Sequence, residues 1–88
     1  MKVRWTEPAV NQLHPVVAYI AADRTVRKIR EEIIRTAQMP YRGRTGGSFQ
    51  TREISVPGTS YLVAYKIIDR SLHVLAVFHG AQPWPETF

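Results

Sequence analysis

The sequence predicts an α+β domain in which two N-terminal helices pack on an antiparallel sheet of three C-terminal strands plus an N-terminal strand. Three observations predict it. Apolar residues recur at helical spacing in two stretches between Val10 and Ala37, strand-like runs split by short turn sequences fill Thr51 to Phe78, and an alternating segment opens the chain. A chain of 88 residues buries too small a share of its surface to support two cores, so one domain spanning 1–88 is expected.

Lys2 to Trp5 alternates and reads as the first strand. Thr6 then precedes Glu7 and Pro8, a helix start in which the threonine caps and the proline sits in the first turn, where its missing N–H costs nothing. Val10, Leu13, Val17 and Ile20 form an apolar stripe, and Pro15 predicts a kink or restart near His14. Asp23 is placed to cap a second helix, in which Val26, Ile29, Ile33 and Ala37 share a face. Arg27, Lys28, Glu31, Glu32 and Arg35 occupy the rest of it, with Lys28/Glu32 and Glu31/Arg35 at i,i+4 spacing.

Met39 to Gly47 breaks the helical pattern and reads as the longest loop. Ser48 to Val56 is a strand with charges on both parities, which suits a position near an edge or open face, and Pro57-Gly58-Thr59-Ser60 is a turn. Tyr61 to Ile68 is apolar at almost every position, as a central strand is. Asp69-Arg70-Ser71 turns into the last strand, Leu72 to Phe78. Tyr61 and Tyr65 share a face with Val63 and Ile67, so both rings are expected to pack in the core, and His79 is expected to share a face with Leu75 and Val77.

Hydrophobic residues at 44% and charged ones at 22% describe a chain that folds rather than a disordered one. The net charge of +5 favours encounters with polyanions and acidic proteins. Without cysteine there is neither a disulfide framework nor a cysteine-ligated zinc site, and a reducing cytoplasm is the expected setting. His14 and His73 have no partner at metal-ligand spacing, and the GRTGG loop lacks the Lys-Ser/Thr ending of a P-loop, so no metal and no cofactor are expected. MKVRWTEP has no apolar signal-peptide core and no run is long enough to cross a bilayer, so no membrane role is expected.

Six features in order resemble the RelE/ParE superfamily of bacterial toxins. They are Trp5, the helix ending Ala18-Tyr19-Ile20-Ala21, Gly43-Arg44, Thr51-Arg52-Glu53, Tyr61-Leu62-Val63-Ala64-Tyr65, and Val74-Leu75-Ala76-Val77-Phe78-His79. The resemblance covers nearly the whole chain. It implies the toxin of a type II toxin–antitoxin module, of the plasmid stabilisation or addiction kind, that inhibits growth and is neutralised by a cognate antitoxin. RelE-like members cleave mRNA on the ribosome, and ParE-like members poison DNA gyrase without hydrolysing anything.

Metal-free RNA cleavage needs a base, donors for the phosphate charge and an acid. The groups available are Arg42, Arg44, Arg52, Glu53, Tyr65, Lys66 and His79, of which His79, Arg52, Glu53 and Lys66 are the catalytic candidates, with Arg44 or Arg52 as the phosphate donor. Arg52 and Glu53 are strand neighbours projecting to opposite faces, which prevents a side-by-side pair. Ribosome-dependent members commonly carry an arginine after the tyrosine that opens the third strand, and here that residue is Leu62. A gyrase poison needs only a recognition surface, and the sequence leans that way. The alternatives are a RelE-like mRNA interferase and a non-toxic nucleic-acid-binding domain. Target or antitoxin contacts are expected at Arg42, Arg44, Arg52, Tyr65 and Trp84, with the uncompensated charge around the three arginines and Trp84 as a rigid aromatic anchor between two prolines.

Overall fold

The computed structural model of the chain describes residues 1–17, 22–45 and 51–80, with 13–17, 22, 23 and 44 described by backbone alone. Five strands and two helices follow in the order β1 (Lys2–Trp5), α1 (Glu7–Val17), α2 (Ala22–Gln38), β2 (Arg44–Thr45), β3 (Arg52–Ser55), β4 (Tyr61–Ile68) and β5 (Ser71–His79). The sheet order is β1-β5-β4-β3-β2, which puts the apolar β4 at the centre, as its sequence predicts. β2 to β5 are antiparallel, whereas β1 lies parallel to β5, with Lys2 opposite Ser71 and Trp5 opposite Val74.

Both helices cover one face of the sheet. Ile29, Ile33 and Ala37 of α2 and Ala9 of α1 meet Val3 and Trp5 of β1, Ile54, Val63, Tyr65, Leu72, Val74 and Val77 in a single core. At about 1.5–3 kcal/mol for each fully buried aliphatic side chain, this cluster dominates the favourable free energy of folding. The opposite face carries a smaller cluster of Ala64, Ala76 and Phe78, with Leu62 and Leu75 packed against it.

Thr6 joins the first strand to the first helix. Its N–H and its hydroxyl both donate to the Val74 carbonyl, at 3.1 and 2.7 Å, and its Oγ1 accepts from the N–H of Ala9 at 3.4 Å. One threonine thus ends the parallel pairing and caps α1. Among the described side chains of α1 Ala9 is buried, while Val10, placed on the apolar stripe by the sequence, is 36% exposed; the side chains of Leu13, Val17 and Ile20 lie outside the described residues. The helix runs through Pro15 to Val17 without a restart. Beyond Trp5 no described strand pairs with this edge of β5, and Gln12 of α1 accepts from the N–H of Val77 at 2.7 Å.

The α2 core face is as expected, but helix capping at Asp23 is not, because Ala22 is already helical. Glu32 is buried at 5% exposure rather than solvated, and it pairs with Arg35 and Arg42 instead of Lys28. Two tight turns close the hairpins. Pro57-Gly58 takes a turn closed by the Thr59 N–H to Val56 O at 3.1 Å, with Gly58 at φ 77°, and Asp69 and Arg70 both adopt positive φ between Ile68 and Ser71.

β4 and β5 change register between Ala64 and Tyr65: Ala64 faces Ala76, Tyr65 faces Val74, and Leu75 is the extra residue. The bulge moves Leu75 onto the face of Ala76 and Phe78, away from Val77, so Leu75 and His79 do not share a face as strict alternation predicts. No described helix is long and apolar enough to cross a membrane.

Candidate functional site

The segment between α2 and β2 carries Arg42 and leads into Arg44, and the fold fixes it from three sides. Past the last turn of α2 the chain bends, with the N–H of Met39 donating to Thr36 O at 3.0 Å and that of Arg42 to Met39 O at 3.1 Å. Tyr65, fully buried on β4, then donates its hydroxyl proton to Pro40 O at 2.6 Å and accepts from the N–H of Gly43 at 3.1 Å. Burial, acting against the Gly43 bond and nearby arginines, raises the Tyr65 phenol above its ordinary pKa.

Gly43 is required at this position by contact. A Cβ there would lie 2.4 Å from the Tyr65 hydroxyl and 3.0 Å from the Glu53 carbonyl, so only glycine lets the loop close on the sheet. The Gly43-Arg44 pair is therefore a packing feature at its first residue, and Arg44 begins β2, a two-residue strand opposite Glu53 and Arg52 inside the segment read as loop.

The third tether is Arg52. Its Nη1 donates to Gly43 O at 2.8 Å and Tyr41 O at 3.1 Å, and its guanidinium lies 5.1 Å from the centre of the Tyr41 ring. Tyr41 is 68% exposed, and with Thr45, Arg52 and Ile67 it lines a cavity of about 320 Å³. Arg42 turns the other way: it binds the Glu32 carboxylate and donates to Thr36 Oγ1 at 3.1 Å, while Arg35 holds the second Glu32 oxygen at 2.7 Å. Beyond β2 no described strand pairs with β3, and a cleft of about 360 Å³ opens there between Arg42, Gly43, Glu53, Ile54 and Ser55.

The residues proposed for RNA cleavage are dispersed. Arg52 pairs with Tyr65 and lies on the helix-covered face, whereas Glu53, opposite Ala64, and Lys66, opposite His73, belong to the other face. His79 ends β5 opposite Tyr61, whose ring it meets edge-on with centroids 5.6 Å apart. Arg52 and His79 are thus about 13 Å apart along the sheet by strand rise, too far to hold one phosphate. Leu62 faces Phe78 and Ser55, in the apolar cluster.

Of the predicted binding residues, Arg52 reaches the surface beside Tyr41, Arg42 is occupied by Glu32, and Tyr65 is a buried brace. Charge is therefore compensated at Arg42, contrary to the sequence reading. Trp84 and the side chain of Arg44 lie outside the described residues. Two features of the site escape the sequence reading, the exposed Tyr41 and the buried Glu32. The signal for Glu32 is its helical spacing from Ile29 and Thr36, which puts a carboxylate on the buried stripe.

A helical pair on one face of a sheet ordered β1-β5-β4-β3-β2 is the α+β architecture of the RelE and ParE toxins. The chain belongs to the family described as the ParE toxin of the type II toxin–antitoxin system, parDE, whose sequence model matches residues 3–84. It is 34% identical to the Sinorhizobium fredii protein named "Putative toxin Y4kP", over 97% of this chain and 94% of that one. Its fold is similar to the chromosomal ParDE system of P. aeruginosa, with a TM-score of 0.66, 12% identity, and 90% and 95% of the two chains covered. It is similar also to the isolated E. coli RelE toxin, with a TM-score of 0.69, 14% identity, and 93% and 86% covered. The intact E. coli RelBE toxin–antitoxin complex gives a TM-score of 0.70 at 14% identity over 92% and 98%.

Proposed function

We propose that this toxin acts in the ParE manner, as a poison of DNA gyrase that works by surface recognition, and that a cognate antitoxin neutralises it. The observation that carries the reading is the dispersal of the groups an RNase would need. Arg52 spends Nη1 on two loop carbonyls, Glu53 and Lys66 lie on the other face, and His79 sits at the far end of β4 and β5. An apolar residue, Leu62, stands where ribosome-dependent relatives commonly carry an arginine, and its cross-strand neighbour is Phe78. The match to the ParE sequence model supports the same choice.

The exposed Tyr41 held under Arg52 suits a recognition surface, since aromatic and arginine side chains dominate binding hot spots. The edge of β3 at Ile54 and Ser55, which no described strand pairs, suits an antitoxin strand added to the sheet. The test is to express the chain alone in a bacterial host and map both new mRNA 5′ ends and gyrase-linked DNA breaks within minutes. Breaks without codon-phased mRNA ends are expected. Ends clustered in codon register on translated messages would replace this reading with the mRNA interferase.

A further inference from the structure

The cavity of about 320 Å³ beside Tyr41 brings together an exposed aromatic ring, the partly buried aliphatic side chain of Ile67 and the guanidinium of Arg52, with Thr45 completing the described lining. Arg52 stands opposite Tyr65, two residues before Ile67 on β4, so all three share the helix-side face. Glu53 projects to the other face and lines the cleft beside Arg42 and Gly43 instead. Both hydrogens of Arg52 Nη1 are taken, by the carbonyls of Tyr41 at 3.1 Å and Gly43 at 2.8 Å. These acceptors are neutral, so they fix the plane of the guanidinium without cancelling its charge. Among the described residues they are the hydrogen-bond partners of Arg52, and the Nε–Nη2 edge remains, with the parallel pair of N–H groups that a carboxylate accepts.

We propose that this cavity binds an acidic peptide, with a carboxylate side chain on the Nε–Nη2 edge of Arg52 and a neighbouring apolar side chain between Tyr41 and Ile67. The inference rests on the reading of Tyr41 and Arg52 as a recognition surface and states what that surface recognises. Size and charge select the class. Small-molecule pockets begin at about 300 Å³, so this one takes a side chain or two and is small for a nucleotide. A phosphate group is held by several converging donors, whereas among the described residues Arg52 is the cation lining the cavity, and one guanidinium fork matches one carboxylate. The carbonyl clamp and the Tyr41 ring hold the fork in place before a ligand arrives, which lowers the entropy lost on binding. The net charge of +5 draws acidic partners to the chain.

The test is a titration of the purified full chain, without gyrase, with the terminally blocked tripeptide Leu-Glu-Leu and with Leu-Gln-Leu as its uncharged control, followed by proton–nitrogen correlation spectra. The Arg52 Nε–H signal and the backbone amides of Tyr41 and Gly43 should shift with the acidic peptide, and the control should bind about fivefold more weakly. Arg52→Lys keeps the charge and loses the fork, so it should erase the preference for the acidic peptide. Tyr41→Ala changes an exposed side chain, should keep the circular dichroism spectrum, and should weaken binding about fivefold, which keeps the test independent of the loop tether. Arg27→Ala on exposed α2 should change nothing. Equal binding of the two peptides, binding of neither, full binding by Tyr41→Ala, or tighter binding of adenosine monophosphate than of the acidic peptide would overturn the proposal. Gyrase-linked breaks in cells without peptide discrimination would remove this inference alone, and discrimination without breaks would remove the gyrase reading alone.

Discussion

Glu32 and Arg42 form an ion pair that ties the C-terminal half of α2 to the segment entering β2, with the carboxylate side chain only 6% exposed. Removing one partner of a buried pair leaves the other charge stranded, typically at about 3–5 kcal/mol. Arg35 still holds Glu32 when Arg42 is lost, so Arg42→Ala should cost about 2–3 kcal/mol by urea unfolding. Glu32→Leu combined with Arg42→Met should cost less than either single change, which a double-mutant cycle reads directly.

Gly43→Ala should destabilise by about 1–3 kcal/mol, because its Cβ would lie 2.4 Å from the Tyr65 hydroxyl and 2.9 Å from Cε1. Tyr65→Phe removes the first of these contacts and leaves the second. The pair of variants should therefore be less destabilised than the sum, in thermal melts of the double against both singles.

The raised Tyr65 pKa gives stability a pH dependence with a defined sign. The folded chain holds the phenol proton more tightly than the unfolded chain, whose tyrosines titrate near 10.0. This contribution is complete below pH 10 and falls as pH rises from there through the folded-state pKa. Urea midpoints measured from pH 8 to pH 11 should fall more steeply for the native chain than for Tyr65→Phe, and parallel curves would remove Tyr65 as the cause.

Thr6→Val keeps the shape of the side chain and deletes the hydroxyl that both caps α1 and donates to Val74. About 1–2 kcal/mol should be lost. Hydrogen exchange should report it first at the N–H groups of the first α1 turn and the β1–β5 pairing.

His79→Gln tests the functional reading on the living cell. The imidazole meets Tyr61 edge-on at the end of the sheet and is exposed, so the variant should fold and still arrest growth. Loss of arrest in a variant that still folds would count for an RNase.

Where packing alone decides, the sequence is easy to read. β4 runs from Tyr61 to Ile68 as its apolar run indicates, and Ile29, Ile33 and Ala37 face the core as their spacing requires. What escapes is set by long-range partners. β2 is two residues of strand in a glycine-bracketed segment, visible only because Arg52 and Glu53 pair with it. Glu32 looks like one charge among many on α2 until Arg42 returns to it from ten residues on, and Arg52 looks free until the carbonyls of Tyr41 and Gly43 are seen above it.

The extra residue at Leu75 divides the last strand into two halves with opposite phase. Deleting it would restore even alternation and leave every other side chain on its present face, with Leu72, Val74 and Val77 toward the core and His73, Ala76 and Phe78 away from it. What the inserted backbone unit adds is one apolar side chain, Leu75, beside Ala76 and Phe78. Any gap-free superposition of this strand on a relative without that unit would read half of its residues inside out.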